Sequence, residues 1–207
     1  MAPPALPVAA TPAPAIEPAV ALLELDSIAA GIEAGDAMAK RAPIDVIRAG
    51  TVHPGKYLVL IGGAVGDVEE ALEAGRDVGG SAVLDVVLIP NVRQDLVAAI
   101  RGARQAPEGD ALGVIETGTV AAILEAADAG LKGARVRLLQ IRLADDLGGK
   151  GYLLFDGTVA DVDAAVEIGT GRIAASPGLA WRVIPRLHAE MAANLASDAR
   201  FAARVRE

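Results

Sequence analysis

The segment Gly50-Thr51-Val52-His53-Pro54-Gly55-Lys56-Tyr57 comes within one residue of a phosphate-binding loop, with two glycines and a lysine at the required spacing. Such a loop needs Ser or Thr at its last position to reach magnesium, and Tyr57 stands there instead. It must also open a helix, whose N-terminal N–H groups hold the phosphate, whereas the following YLVLIGG has the pattern of a strand. Nucleotide hydrolysis is therefore not expected. His53 and His188 are the only two histidines and lie far apart without a neighbouring carboxylate pattern, so neither a metal site nor a catalytic dyad within one chain is expected. The absence of cysteine removes disulfides, thiolate zinc sites, cysteine nucleophiles and cysteine-ligated iron–sulfur clusters. With no nucleophile, metal set or acid–base pair left, the chain does not read as an enzyme, and no cofactor is expected.

The remaining polar candidates recur. Lys40 and Lys132 each end a helical pattern, where a cation complements the helix dipole. His53 lies in one turn, and Asp145 with Asp146 lies in a corresponding turn. Taken singly these are solvated turn residues. Three or more copies of His53 about an axis would instead form a ring whose charge changes near neutral pH.

This recurrence comes from a repeat that fills the chain. LLELDSIAAGIEAGD (22–36) returns as VIETGTVAAILEAAD (114–128), a shift of 92, keeping Glu24 with Glu116, Ala29 with Ala121, Glu33 with Glu125 and Asp36 with Asp128. The same shift relates Lys40 to Lys132. After a two-residue insertion, Gly55-Lys56 aligns with Gly149-Lys150, and GGAVGDVEEALE (62–73) with DGTVADVDAAVE (156–167). Ile89-Pro90 then corresponds to Ile184-Pro185. Two modules of roughly ninety residues suggest a symmetric assembly more readily than a single catalytic cleft.

Composition narrows the possibilities further. Of the 207 residues 53% are hydrophobic but only 2% aromatic, so the core must be thin, close-packed layers of Ala, Val, Leu and Ile. No apolar run approaches the length of a membrane span. The net charge of −8 argues against a nucleic-acid partner, since phosphate recognition needs clustered Lys and Arg. Residues 1–19 are rich in Pro and Ala, without Lys or Arg, and are expected to be a disordered tail and not a signal peptide.

Each module parses by period and punctuation. Val20–Leu25 is expected to be a strand, and Ser27 the N-cap of the helix after it, with Thr119 keeping the hydroxyl in the second copy. Ile44–Ala49 and Tyr57–Ile61 are expected to be strands joined by the turn GTVHPGK. Asp67 with Glu70 resembles a capping box for a second helix, and Ala82–Ile89 closes the module as a strand. In the second copy the same elements fall at 112–117, 119–133, 135–142, 150–155, 160–172 and 179–184. The fold expected is α+β, an α/β sandwich of two tandem ferredoxin-like β-α-β-β-α-β modules. The modules are expected at 20–102 and 111–193, with a linker at 103–110 and a helical extension at 194–207. Leu187, Met191 and Leu195, spaced four apart, suggest a helix within Arg186–Arg206 packed on the second module.

The runs ALLELDSIAAGIEAGDAMAKRAP and LGVIETGTVAAILEAADAGLKGA have the same sequel: a strand, a GK turn, a strand ending in GGAVGDV or DGTVADV, and a closing IP stretch. Together they resemble the bacterial microcompartment shell domain. Their double occurrence, in unpermuted order, resembles the single-layer tandem-domain shell proteins. The resemblance covers about 20–102 and 111–193.

This resemblance implies a cytoplasmic structural protein in a microcompartment shell: a homotrimer whose six domains form a pseudohexagonal tile. Its implied partners are its own copies, hexameric and pentameric shell proteins, and encapsulated enzymes, with no nucleic acid and no membrane. The family's edge lysine falls on Lys40 and Lys132. Its edge arginine falls on Arg186 within IPRLH, and Asn91 takes that place in the first module. The family's central pore is lined by the turn after the hairpin's first strand. Here that is Thr51, Val52, His53, Pro54 and Gly55, and in the second module Ala144, Asp145, Asp146, Leu147, Gly148 and Gly149. An acidic rim there would favour cations or polar neutral metabolites over anions. Some tandem shell proteins hold an iron–sulfur cluster at the pore through cysteine, a route closed to this chain. The alternative reading is a tandem ferredoxin-like sensor binding a small molecule between subunits.

Overall fold

A computed structural model describes residues 19–197, so residues 1–18 and 198–207, with the expected tail and the end of the C-terminal extension, lie outside the described residues. The first module runs β1 (Ala19–Leu25), α1 (Ile28–Arg41), β2 (Val46–Val52), β3 (Lys56–Gly63), α2 (Val65–Gly79) and β4 (Val83–Ile89). A seven-residue helix, α3 (Gln94–Ile100), leads to the second module: β5 (Ala111–Thr117), α4 (Val120–Gly133), β6 (Arg137–Leu143), β7 (Gly151–Gly157), α5 (Val159–Arg172) and β8 (Ala180–Pro185). Helix α6 (Ala189–Ala196) follows. The two sheets are antiparallel, in the orders β2-β3-β1-β4 and β6-β7-β5-β8, and so have one ferredoxin-like topology. The expected element order holds in both modules.

Local chemistry accounts for the helix starts. Ser27 Oγ accepts from the N–H of Ala30, and Thr119 Oγ1 from that of Ala122, so the two predicted caps form. The predicted Asp67/Glu70 box does not: α2 is preceded by Ala64 without a side-chain cap, and Asp67 lies inside the first turn, where it favours the helix dipole. Its counterpart α5 is capped by Thr158, which accepts from Asp161 N–H.

Helices cover one face of each sheet. In the first module Leu23, Leu25, Val59 and Ile61 meet Met38, Val68 and Leu72. In the second, Ile115, Leu153 and Phe155 meet Ile123, Leu131, Val162 and Val166. Phe155 is the largest fully buried side chain, and Gly130 makes room for it, since a Cβ there would lie 2.6 Å from Phe155 Cζ. The apolar cluster of the second module continues into the first through Leu22, Val87, Ile89, Val92, Leu96 and Ala99. The two modules thus share a core.

Helix α3, which the sequence reading did not anticipate, packs on β6 of the second module. Asp95 holds it at its start: its carboxylate accepts from Leu96 N–H and pairs with Arg93 at 2.7 Å, and the Arg93 hydrogen bond holds Asp95 below the usual carboxylate range. The segment 103–110 is tied down by the buried Asp156, which accepts from the N–H groups of Glu108 and Gly109 and pairs with Arg137. Gly109 must be glycine here, because a Cβ would lie 2.6 Å from Gly157 N. Helix α6 lies within the segment expected to be helical, of which residues 198–207 are outside the described residues. Leu187 and Leu195 pack on Leu112, Leu139 and Leu154, while Met191 stays 51% exposed.

Candidate pore turns and subunit-contact surfaces

The two turns proposed to line a pore are built differently. Gly50, Thr51 and Val52 belong to β2, paired with Leu58, Tyr57 and Lys56, so the first turn is only His53-Pro54-Gly55 and not the whole GTVHPGK segment. Gly55 closes it with φ 107°, donating to Val52 O at 2.9 Å. His53 and Pro54 are exposed, joined by a cis peptide bond. The second turn needs left-handed backbone at Ala144, Asp146, Gly148 and Gly149. Leu147 N–H to Ala144 O and Lys150 N–H to Leu147 O hold it compact. Ala144 is buried, whereas Asp145 and Asp146 face outward. Arg142, on β6, donates to Asp145 O at 3.2 Å and puts a cation beside the acidic pair, a feature the sequence reading missed.

The same chain brings the turns together. Lys56 Nζ lies 2.7 Å from Glu24 Oε1, donates to Gly118 O at 2.9 Å and reaches Gly149 O at 3.4 Å. Glu24 is fully buried, and its other oxygen accepts from Val120 N–H at 2.7 Å and Ala121 N–H at 3.4 Å, at the start of α4. A carboxylate at a helix N-terminus is favoured by both the free N–H groups and the dipole. Thr119 Oγ1 also donates to Asp85 on β4. Neither role was foreseen, although Glu24 and Lys56 both recur in the repeat.

Of the residues expected at tile edges, Lys132 and Asn91 come together. Lys132 Nζ pairs with Asp128 and donates to Pro90 O, next to Asn91. Lys40 pairs with Asp36 on its own helix and remains 74% exposed. Asn91 and Arg186 are exposed at matching places, both with left-handed backbone, φ 52° and 51°.

Among the described residues, α1 and β8 keep apolar side chains exposed. Val120 and Leu124 of α4 are fully buried where that helix packs on β4. Their counterparts on α1, Ile28 and Ile32, are 42% and 57% exposed. On β8, the counterpart of β4, Trp181 and Ile184 are 47% and 37% exposed.

Comparison with known proteins agrees with this architecture. The BMC domain model matches twice, at residues 19–92 and 111–187. The chain is 38% identical over 174 residues to the bacterial microcompartment shell protein PduT of Citrobacter freundii, covering 84% of this chain and 95% of that protein. A crystal structure of a microcompartments protein from Desulfitobacterium hafniense is 37% identical with a TM-score of 0.72, over 84% of this chain and 98% of that one. The fused permuted hexameric shell protein MSM0275 of the RMM microcompartment shares the fold, at 21% identity and TM-score 0.55, over 76% of this chain and 84% of the other. Among the described residues no helix is long and apolar enough to cross a membrane. Twice-repeated domain, fold and relatives agree: the chain belongs to the BMC-domain family and is a tandem-domain structural protein of a bacterial microcompartment shell.

Proposed function

We propose that three copies of the chain close into a pseudohexagonal tile with a pore for small metabolites on its axis, and that the tile packs edge to edge with other shell proteins. The observation that carries this reading is the mismatch between the filled contact inside the chain and the empty ones at its ends. Inside, α4 seats Val120 and Leu124 against β4. At the ends, α1 offers Ile28 and Ile32 while β8 offers Trp181 and Ile184. A head-to-tail contact that uses one face of each kind is heterologous, and repeating it generates a ring when the rotation closes. Six similar modules, two per chain, need three chains.

In that ring the His53 turn and the Asp145/Asp146 turn alternate around the axis, and Lys40, Lys132, Asn91 and Arg186 lie toward the rim. The chain's part is to form a wall and a passage, without chemistry of its own. Hexameric and pentameric shell proteins and the enclosed enzymes are its proposed neighbours. The names of the relatives give no support to a ligand sensor.

The test is the mass of the purified protein in solution, followed by electron microscopy. A mass three times the 21.0 kDa of the chain and hexagonal sheets are expected. A monomer or dimer at micromolar concentration would overturn the tile.

A further inference from the structure

We propose that Glu116 and Lys150 form a latch between neighbouring copies, in which Lys150 of one chain holds the His53-bearing turn of the next. The proposal rests on the ring described above and adds the polar contacts that would close it.

The template lies within the chain. Glu24 and Lys56, side by side on β1 and β3, project from the first module into the second and make every one of their cross-module bonds to backbone: Val120 N–H, Ala121 N–H, Gly118 O and Gly149 O. Such bonds do not depend on side-chain identity, so they transfer to any copy of the module with the same backbone. Glu116 on β5 and Lys150, the residue just before β7, reproduce the pair. The register is the same, Glu24 opposite Leu58 and Glu116 opposite Tyr152, and the ion pair has the same 2.7 Å length.

Only the surroundings differ. The Glu24 and Lys56 side chains are 0% and 17% exposed, while those of Glu116 and Lys150 are 41% and 55% exposed. The backbone groups that would complete the second set are Ile28 N–H, Ala29 N–H, Asp26 O and Gly55 O. They belong to four residues that are all exposed. An exposed ion pair contributes almost nothing by itself. Desolvated against a helix start and two carbonyls, the same pair gains charge-assisted hydrogen bonds and the helix dipole. The apolar faces on either side, Ile28 with Ile32 and Trp181 with Ile184, make this a continuation of the contact already built inside the chain.

One difference gives the latch extra weight. Inside the chain Asp85 also accepts from the Thr119 hydroxyl, but the register places Ala180 opposite Glu116 where Asp85 is opposite Glu24. The contact between copies therefore has no such carboxylate for Ser27, and Glu116 with Lys150 provides its polar part. The latch also reaches the pore: as Lys56 touches Gly149 of the second turn, Lys150 meets Gly55 of the first turn in the next copy.

The experiment compares the full-length protein with Glu116→Gln and Lys150→Met, both nearly isosteric changes at exposed positions. Sedimentation over a dilution series gives the concentration of half-dissociation, the fluorescence of Trp181, the chain's one tryptophan, reports cover of β8, and hydrogen exchange follows the amides of His53, Gly55 and Lys56. Both variants are expected to dissociate at concentrations at least tenfold higher than the parent. Lys150→Met should also speed exchange in the His53 turn under conditions where it is still trimeric. A parent protein that never trimerises overturns the ring itself. A trimeric parent whose variants dissociate and exchange as it does overturns the latch and leaves the ring standing.

Discussion

Lys132 donates from Nζ to the carbonyl of Pro90, 3.0 Å away, and so joins the end of a helix in one module to the residue just past the last strand of the other. In the ring its counterpart Lys40 would stand in the same relation to Pro185 of the next copy. Both lysines would then be oriented by backbone at the rim, with donor capacity to spare for an adjoining tile.

Changing Lys40 and Lys132 together to Ala is expected to abolish sheet formation while leaving the trimer intact. Exposed ion pairs such as Lys40 with Asp36 add little to folding, so thermal stability should move only slightly. Native mass and negative-stain microscopy check this. Normal sheets would remove the edge role from both lysines.

Glu24→Ala is expected to destabilise each chain by about 3 kcal/mol, because it leaves Lys56 and the start of α4 without their buried partner. For a protein of this size that corresponds to a melting temperature lower by roughly 6–12 °C. Glu116→Ala, measured on the dissociated chain, should shift it by less than about 1 kcal/mol. Equal losses at the two positions would show that burial between modules is not what distinguishes them.

Of the two turns proposed to line a pore, one carries His53 and the other Asp145 and Asp146, with Arg142 beside the acids. Combining His53→Ala with Asp145→Asn and Asp146→Asn should alter the flux of charged metabolites through an assembled shell. Unchanged flux would mean that these side chains do not select what passes.

The repeat made the architecture readable, and the residues that were missed share a cause. Ser27 and Thr119 could be recognised as caps because a hydroxyl before an apolar helical pattern has a local meaning. Helix α3 could not, since its seven residues owe their conformation to β6 of the other module. Asp67 misled because an acidic residue three before a glutamate looks the same whether it precedes a helix or sits in its first turn. Thr51 and Val52 fell to the strand once Lys56 and Tyr57 were available to pair with them. Glu24 gave the one usable hint: it and Lys56 recur as Glu116 and Lys150, but its burial depends on a juxtaposition no local window contains. In the same way, the linker function of Asp156 has no counterpart at Gly62 to announce it.

The covalent tether between the modules changes the arithmetic of assembly. Of six contacts around the proposed ring, three form when each chain folds, at an effective concentration fixed by a short, pinned linker and independent of how much protein the cell has made. The remaining three alone obey mass action, so ring closure is third order in chain concentration where six separate domains would require sixth. The tether also sets the order of the circle. In such a ring a module with the His53 turn is always followed by one with the Asp145/Asp146 turn, and a ring with an odd number of modules cannot form.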